Sequence, residues 1–356
     1  MRILHIIDDV KFIESCRQLF NVDNVDNYYL KKGEVSDSYL TNNRIDIVCI
    51  HYLDNSDVEF ILNCQVNVKY VWFFWGGDGF CLGKYYNRFL QLKTNLFRVR
   101  CEFKKSNKLG VQNLIKTLFP WVIDYQQGYK NKLKAIKKID IIVPVMPGDY
   151  KILSSDYGLK MPFLHLNYIT PYFFNNSRKE SPSFSNGKDI LLGNSASYTN
   201  NHFEIIDVLT KVEGEENIYI PLNYGDDILG KKVKNYAVKN LGEKAKVLRE
   251  FLSFDEYTKV YDTCGVIILN HIRQQGVGNI IMALVLGKTL YLRDDSTVYK
   301  FLKEKGFIFK NIKDINTKGI TYILESDKLV NYDLCYEVFG KDIAKKKIIE
   351  LINYLE

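Results

Sequence analysis

The stretch Cys264-Gly-Val-Ile-Ile-Leu-Asn-His-Ile-Arg-Gln-Gln-Gly-Val-Gly-Asn279, continuing through residues 280–286, Gly287 and residues 288–292, constrains this chain more than any other. A short β-branched run, a polar loop with glycines, an apolar helix closed by Gly287 and a second apolar run make half of a βαβ unit. Arg273, Gln274 and Gln275 stand between two runs that have to be buried, where long polar side chains have little packing value, and a polar ligand explains them more economically. Gly276 and Gly278 let the backbone approach such a ligand closely. The first turn of the following helix, beginning near Gly278 and Asn279, offers unpaired N–H groups to a phosphate, and Arg273 adds a forked cation. The alternative is an ordinary tight connection whose glycines serve only the turn.

Composition sets the frame for that unit. With 356 residues, 46% of them hydrophobic and 26% charged, the chain has the make-up of a globular protein long enough for two domains with full cores. No uninterrupted apolar run reaches the length of a membrane span, and the start Met-Arg-Ile-Leu-His-Ile-Ile-Asp-Asp-Val reads as a strand rather than a signal peptide. A cytoplasmic location is therefore expected. The 7 cysteines form no Cys-x-x-Cys pair and are odd in number, which fits reduced, mostly buried thiols. The 5 histidines are scattered, so no metal site and no metal cofactor is expected.

The formal charge of +7 is uneven. Residues 93–138 hold 12 Lys or Arg against 2 acids, Glu102 and Asp124, so this segment alone carries 12 − 2 = +10. Within it Leu109, Leu114, Ile115, Leu118, Phe119, Trp121, Val122 and Ile123 interleave with Lys108 and Lys116, the mixture of an amphipathic interfacial helix. An anionic membrane surface is the partner this suggests, with a lysine-rich solvated helix as the plain alternative. Nucleic acid ranks lowest, because no RNA- or DNA-binding module accompanies the cations.

Residues 2–7, 45–51, 70–75 and 140–144 read as buried strands separated by helical patterns. A second alternation has strands at 189–193, 217–221, 246–252, 265–270 and 288–292. The predicted architecture is α/β with two units: 1–170, a linker at 171–188 rich in Pro, Asn and Ser, 189–335, and a C-terminal helix at 336–356 with apolar residues at helical spacing.

Further candidate chemistry sits at strand ends. Gly193, Asn194 and Ser195, then Thr199, Asn200 and His202, form a donor-rich loop before an apolar helix, suited to a phosphate or sugar; Thr199 or Asn200 could equally be helix caps. Tyr224 ends a third strand and could lie on a base or sugar ring, or simply pack. Trp72-Phe-Phe-Trp-Gly-Gly-Asp78 ends a buried strand in two glycines and an acid, which makes Asp78 the candidate catalytic base, a turn aspartate being the other reading; Asp8 and Asp9 are weaker candidates of the same kind. There is no Walker loop, no Ser or Cys triad signature and no Gly-x-Gly-x-x-Gly after the first strand, which removes support from nucleotide hydrolysis and dinucleotide redox chemistry.

Gly-Asn-Ser with Thr199-Asn200-x-His202, the Ile-Pro-x-x-Tyr strand end, Phe254-Asp255-x-Tyr257 and Arg-Gln-Gln-Gly-x-Gly, in that order, resemble the bacterial TDP-N-acetylfucosamine:lipid II N-acetylfucosaminyltransferases. The resemblance is clearest over residues 189–292 and reaches the N-terminal half at Trp75-Gly-x-Asp78 and the basic stretch. It implies the GT-B fold: two facing Rossmann-like domains, the C-terminal one holding a nucleotide-sugar and the N-terminal one the acceptor, with the C-terminal helix packing across both. It further implies transfer of 4-acetamido-4,6-dideoxygalactose from its TDP donor to a polyprenyl-diphosphate-linked saccharide. This would serve surface-polysaccharide synthesis of the O-antigen or enterobacterial common antigen kind, with the enzyme peripherally attached to the inner membrane face. In this reading Arg273 and the helix N-terminus stabilise the departing diphosphate, residues 193–195, 199, 200, 202, 224, 274–276, 278 and 279 bind the nucleotide-sugar, and Asp78 takes the acceptor proton. Rival readings are a sugar-nucleotide 2-epimerase, which needs no membrane patch, and a non-catalytic membrane-docking scaffold, which leaves the polar strand-end loops without a use.

Overall fold

The computed structural model describes residues 1–80, 87–106, 128–168 and 178–356. Among them the strands are β1 (Arg2–Ile6), β2 (Asp26–Leu30), β3 (Ile47–His51), β4 (Lys69–Phe74) and β5 (Ile141–Pro144), then β6 (Asp189–Leu192), β7 (Ile218–Pro221), β8 (Ala245–Leu248), β9 (Cys264–Leu269), β10 (Thr289–Leu292) and β11 (Lys310–Asn311). They form two sheets, ordered β2-β1-β3-β4-β5 and β11-β10-β9-β6-β7-β8. Every pairing is parallel. Both orders reverse direction once, between β1 and β3 and between β6 and β9, and in doubly wound sheets that reversal opens a crevice at the strands' carboxyl ends.

The central strands owe their place to composition. β3 is Ile-Val-Cys-Ile-His and β9 is Cys-Gly-Val-Ile-Ile-Leu, and every residue of both is buried, as a parallel strand covered on two faces requires. Two strands went unread in the sequence. β2, Asp-Asn-Tyr-Tyr-Leu, is a half-exposed edge strand without an apolar run, and β11 is only two residues long.

The contacts divide the chain into two compact units. Of the described residues, the first takes 1–80, 128–168, 178 and 336–356, and the second takes 87–106 and 179–335. The core of the first unit joins Ile3, Ile47, Val71 and Phe73 of the sheet to Ala344, Ile348, Leu351, Ile352 and Leu355 of the final helix Lys341–Leu355. Those five recur at spacings of three and four, so one apolar stripe of the last helix closes the core.

In the second unit Ile190, Ile218, Val266 and Tyr291 pack with Phe203 and Ile206 of the helix His202–Leu209 and with Val233 of the helix Asp227–Leu241. The helix Leu92–Ser106 packs here as well. Phe97 lies 5.1 Å from Phe203, and Glu204 accepts from the Thr94 backbone N–H at 2.8 Å and from its hydroxyl at 2.6 Å.

The amphipathic stretch expected at residues 108–123 lies outside the described residues. Of the cations flanking it, Lys93 pairs with Asp207, and Arg98 donates to Asn87 Oδ1 at 2.7 Å. Lys132 donates to the Leu53 carbonyl at 2.7 Å and Lys138 to that of Ile61 at 2.9 Å. Of these four, Arg98 and Lys132 are buried and present no charge at a surface, while Lys93 and Lys138 remain exposed. No helix among the described residues is long and apolar enough to cross a membrane.

Candidate active site

At the carboxyl edge of the second sheet, the loops leaving β6 and β9 meet where the strand order reverses. The β6 loop turns at Gly193, whose φ of +73° suits glycine, and a Cβ there would lie 2.7 Å from His202 Nε2 and 2.8 Å from Asn200 Oδ1. Asn200 then knits the loop. Its Oδ1 accepts from the Asn194 backbone N–H at 3.1 Å and faces His271 Nε2 at 2.7 Å, while its Nδ2 donates to the Ser195 carbonyl at 3.0 Å.

Asn194 and Gln275 link the two loops directly. Gln275 Nε2 donates to Asn194 Oδ1 at 3.1 Å, Gln275 Oε1 accepts from the Thr199 hydroxyl, and Asn194 Nδ2 donates to the hydroxyl of the exposed Tyr224 at 3.1 Å. Deeper still, Asn201 takes the left-handed conformation that asparagine tolerates, with φ +49°. Its Nδ2 reaches the Asn270 carbonyl at 3.3 Å, and Asn270 Nδ2 returns to the Asn201 carbonyl at 3.0 Å.

The helix Val277–Val285 begins at this junction, with Gly276 as its N-cap at φ +65°. Arg273 is buried beside it and donates through Nη1 to the Gln274 carbonyl at 2.8 Å. Arg273 Nε, Gln274 Oε1 and His202 Nε2 are buried without a hydrogen-bond partner. Buried polar atoms are nearly always paired, and three of the unpaired ones among the described residues stand on the loops of this switch point.

The imidazoles here are neutral. Burial lowers His202 to about 3, and burial together with the Arg273 charge lowers His271 to about 3. Arg273 is thus the one formal charge among the side chains just described, and a buried guanidinium is suited to a diphosphate.

Gly193, Asn194, Ser195, Thr199, Asn200, His202, Tyr224, Gln275 and Gly276 are therefore brought together, with Arg273 and Gln274 in the same loop. Asn279 faces elsewhere: its Oδ1 accepts from Tyr257 at 3.3 Å and its carbonyl from Tyr261 at 3.1 Å, which ties the helix to its neighbour Phe254–Thr263. Gly278 lies inside the first turn. His271, Asn201 and Asn270 were not read from the sequence as site residues. The signal for His271 was present, since it stands two residues before Arg273 just past a strand end, but its partner Asn200 is 71 residues away.

Asp78 lies in the first unit, just after β4. It is buried, and both oxygens are occupied: Oδ2 accepts from Trp72 Nε1 at 2.7 Å and from the Leu53 N–H at 3.1 Å, and Oδ1 from the Trp75 N–H at 3.1 Å. Burial raises its pKa against the opposing charge of Lys132. Elsewhere in this unit His5, Cys16 and His51 bring potential metal-ligating atoms within 4.8 Å of one another, but the facing imidazole nitrogens, 3.1 Å apart, already share a hydrogen bond.

The whole chain superimposes on several known structures at low identity. A glycosyltransferase from Rickettsia africae ESF-5 matches at 12% identity and a TM-score of 0.61, over 99% of this chain and 98% of that one. Anabaena Alr3699/HepE in complex with UDP and glucose matches at 11% and 0.59, over 99% and 100%. A UDP-N-acetylglucosamine 2-epimerase matches at 12% and 0.53, over 99% and 96%. The fold is GT-B, shared by transferases and an epimerase, and the protein is a glycosyltransferase of that fold. Residues 168–330 match the model of the 4-alpha-L-fucosyltransferase family, glycosyl transferase group 56, which bears out the resemblance carried by the motifs of this chain.

The buried histidines make stability pH-dependent. His5 is lowered to about 4 by burial, His51 well below its ordinary value, and His202 and His271 to about 3. An unfolded chain binds these protons near pH 6.5, so the stability they contribute is complete above that pH and is lost as the pH falls toward 4 and 3. Melting temperature is expected to drop steadily from pH 7 to pH 4.5; a flat profile over that window would contradict neutral burial.

Proposed function

We propose that this glycosyltransferase moves 4-acetamido-4,6-dideoxygalactose, or a close relative, from a TDP donor to a polyprenyl-diphosphate-linked saccharide during surface-polysaccharide synthesis. The carrying observation is the buried Arg273 beside the N-terminus of Val277–Val285, with unpartnered polar atoms on Arg273, Gln274 and His202 at the switch point. The UDP and glucose held by the Anabaena protein support a nucleotide-sugar donor. The choice of TDP and of the deoxy-amino sugar rests on the motif resemblance.

In this mechanism the donor diphosphate lies against the first turn of Val277–Val285 and the Arg273 guanidinium. Asn194, Ser195, Thr199, Asn200, His202, Tyr224, Gln274 and Gln275 orient its phosphate and sugar groups. The bond from the anomeric carbon to the diphosphate breaks, its electron pair leaves with the diphosphate, and the acceptor oxygen bonds to that carbon. Fixed N–H groups and the guanidinium meet the charge as it develops. The acceptor proton goes to a base, for which Asp78 is the proposal. To serve, the buried Asp78 must open one of its oxygens to the acceptor hydroxyl; kept enclosed, it acts by setting the Trp75 loop.

Attachment to the membrane through residues 93–138 belongs to the same proposal, with fewer cations available than the +10 suggests. The test is incubation with TDP-4-acetamido-4,6-dideoxygalactose and a polyprenyl-diphosphate disaccharide in anionic vesicles. A glycosylated lipid together with TDP is expected. Release of TDP or an epimer without acceptor would favour the epimerase.

A further inference from the structure

The first unit has a switch point of its own, between β1 and β3, and the proposed donor chemistry does not use it. Tyr52 leaves β3 there with φ +67°, a conformation that is a genuine outlier for an aromatic residue and persists only where the surroundings enforce it. The enforcement is visible. Tyr52 N–H donates to the Phe73 carbonyl at 3.2 Å, and Lys32 holds the Tyr52 carbonyl while anchored on Asp57 Oδ2 at 2.6 Å.

Tyr52 is 38% exposed just past the carboxyl end of β3, with Lys32 Nζ 5.4 Å from its ring centre. The next loop is shaped to that ring: a Cβ on Gly77 would lie 3.2 Å from both Cε2 and Oη of Tyr52. The Trp75 indole stands 6.0 Å from Tyr52 at 60°, and Phe12 backs Trp75 at 4.2 Å. Asp8 and Asp9, both exposed, end β1 on the same edge.

A buried hydrogen-bond chain fixes the indole from below. Trp75 Nε1–H, which can only donate, donates to the Tyr168 hydroxyl oxygen. Tyr168 donates to His51 Nδ1 at 3.0 Å, His51 Nε2–H to His5 Nδ1 at 3.1 Å, and His5 Nε2–H to Asn27 Oδ1 at 3.1 Å. Asn27 Nδ2 donates to the Phe20 carbonyl at 2.9 Å, so its oxygen faces His5. The donor-only start and the acceptor end set one direction, both imidazoles are neutral with the proton on Nε2, and every link is satisfied.

We propose that Tyr52 and Trp75 form a stacking subsite for a pyranose ring of the saccharide acceptor, with Asp8 and Asp9 accepting hydrogen bonds from its hydroxyls. The inference rests on the transferase reading and adds to it the residues that receive the acceptor. The C–H face of a pyranose carries slight positive charge and meets the negative face of an aromatic ring, while its hydroxyls call for carboxylates at the rim. Tyr168, His51 and His5 are positioning residues, acting through the indole.

Saturation-transfer NMR on the full chain tests this, with methyl N-acetyl-β-glucosaminide and methyl β-galactoside as probes. Ring protons of at least one glycoside are expected to receive saturation from the wild type and from Tyr52→Phe, and to lose it in Tyr52→Gly. Glycine relieves the left-handed backbone, so that variant is expected to stay folded, with a melting temperature no lower than that of the wild type. Undiminished transfer in Tyr52→Gly, or none to the wild type, would overturn the subsite. TDP titration of the same samples reads the transferase proposal separately: glycoside stacking without TDP binding would sink the donor reading and leave the subsite standing.

Discussion

Replacing Arg273 with alanine is expected to lower transferase turnover by about 100-fold or more, the usual effect of removing a preorganised donor to developing negative charge. The residue is buried with Nε unpartnered, so its capacity is held in reserve for a ligand. Folding changes little by comparison. The hydrogen bond lost among the described residues, from Nη1 to the Gln274 carbonyl, is worth about 1 kcal/mol. Lysine is expected to recover only a small part of the activity, because a point charge does not reproduce the planar fork. The check is kcat and denaturation midpoint measured on the same preparations; a variant that folds and turns over normally removes Arg273 from the site.

The second large effect is on stability. Asp78→Ala is expected to destabilise the first unit by about 3 kcal/mol or more, since it strands three buried donors on Leu53, Trp72 and Trp75. Asp78→Asn separates the two roles open to this residue. A catalytic base gives a variant whose folded fraction, read from the melt, carries out no transfer. An aspartate that organises the loop gives one whose melting temperature falls with its activity, because an amide N–H₂ turns a donor toward a donor. TDP affinity is expected to survive in both cases. Thermal melts alongside transfer assays decide, and full transfer by Asp78→Asn would end the base proposal.

Much of this was legible in the sequence because it depends on local pattern. Buried parallel strands announce themselves as apolar runs, and β1, β3 to β7, β9 and β10 were readable on that ground, whereas the edge strand Asp26–Leu30 has no such run. The Gly193 and Arg273 loops were readable because polar residues between apolar runs lack a packing reason. What sequence did not disclose is pairing at a distance. His5, His51 and Tyr168 are separated by 46 and 117 residues and become one hydrogen-bond chain only when β1 and β3 lie side by side. Asp78 was correctly placed at a strand end, but the donors that enclose it come from Leu53, 25 residues earlier, and from the Trp72 side chain.

The central claim is that the switch point between β6 and β9 holds a nucleoside diphosphate on Arg273. Calorimetric titration of the wild type and of Arg273→Ala with TDP, UDP, GDP and NAD tests it most directly. The expected result is selective binding of TDP that disappears in Arg273→Ala. Binding of none of the four, or equal TDP affinity in the two proteins, would contradict it.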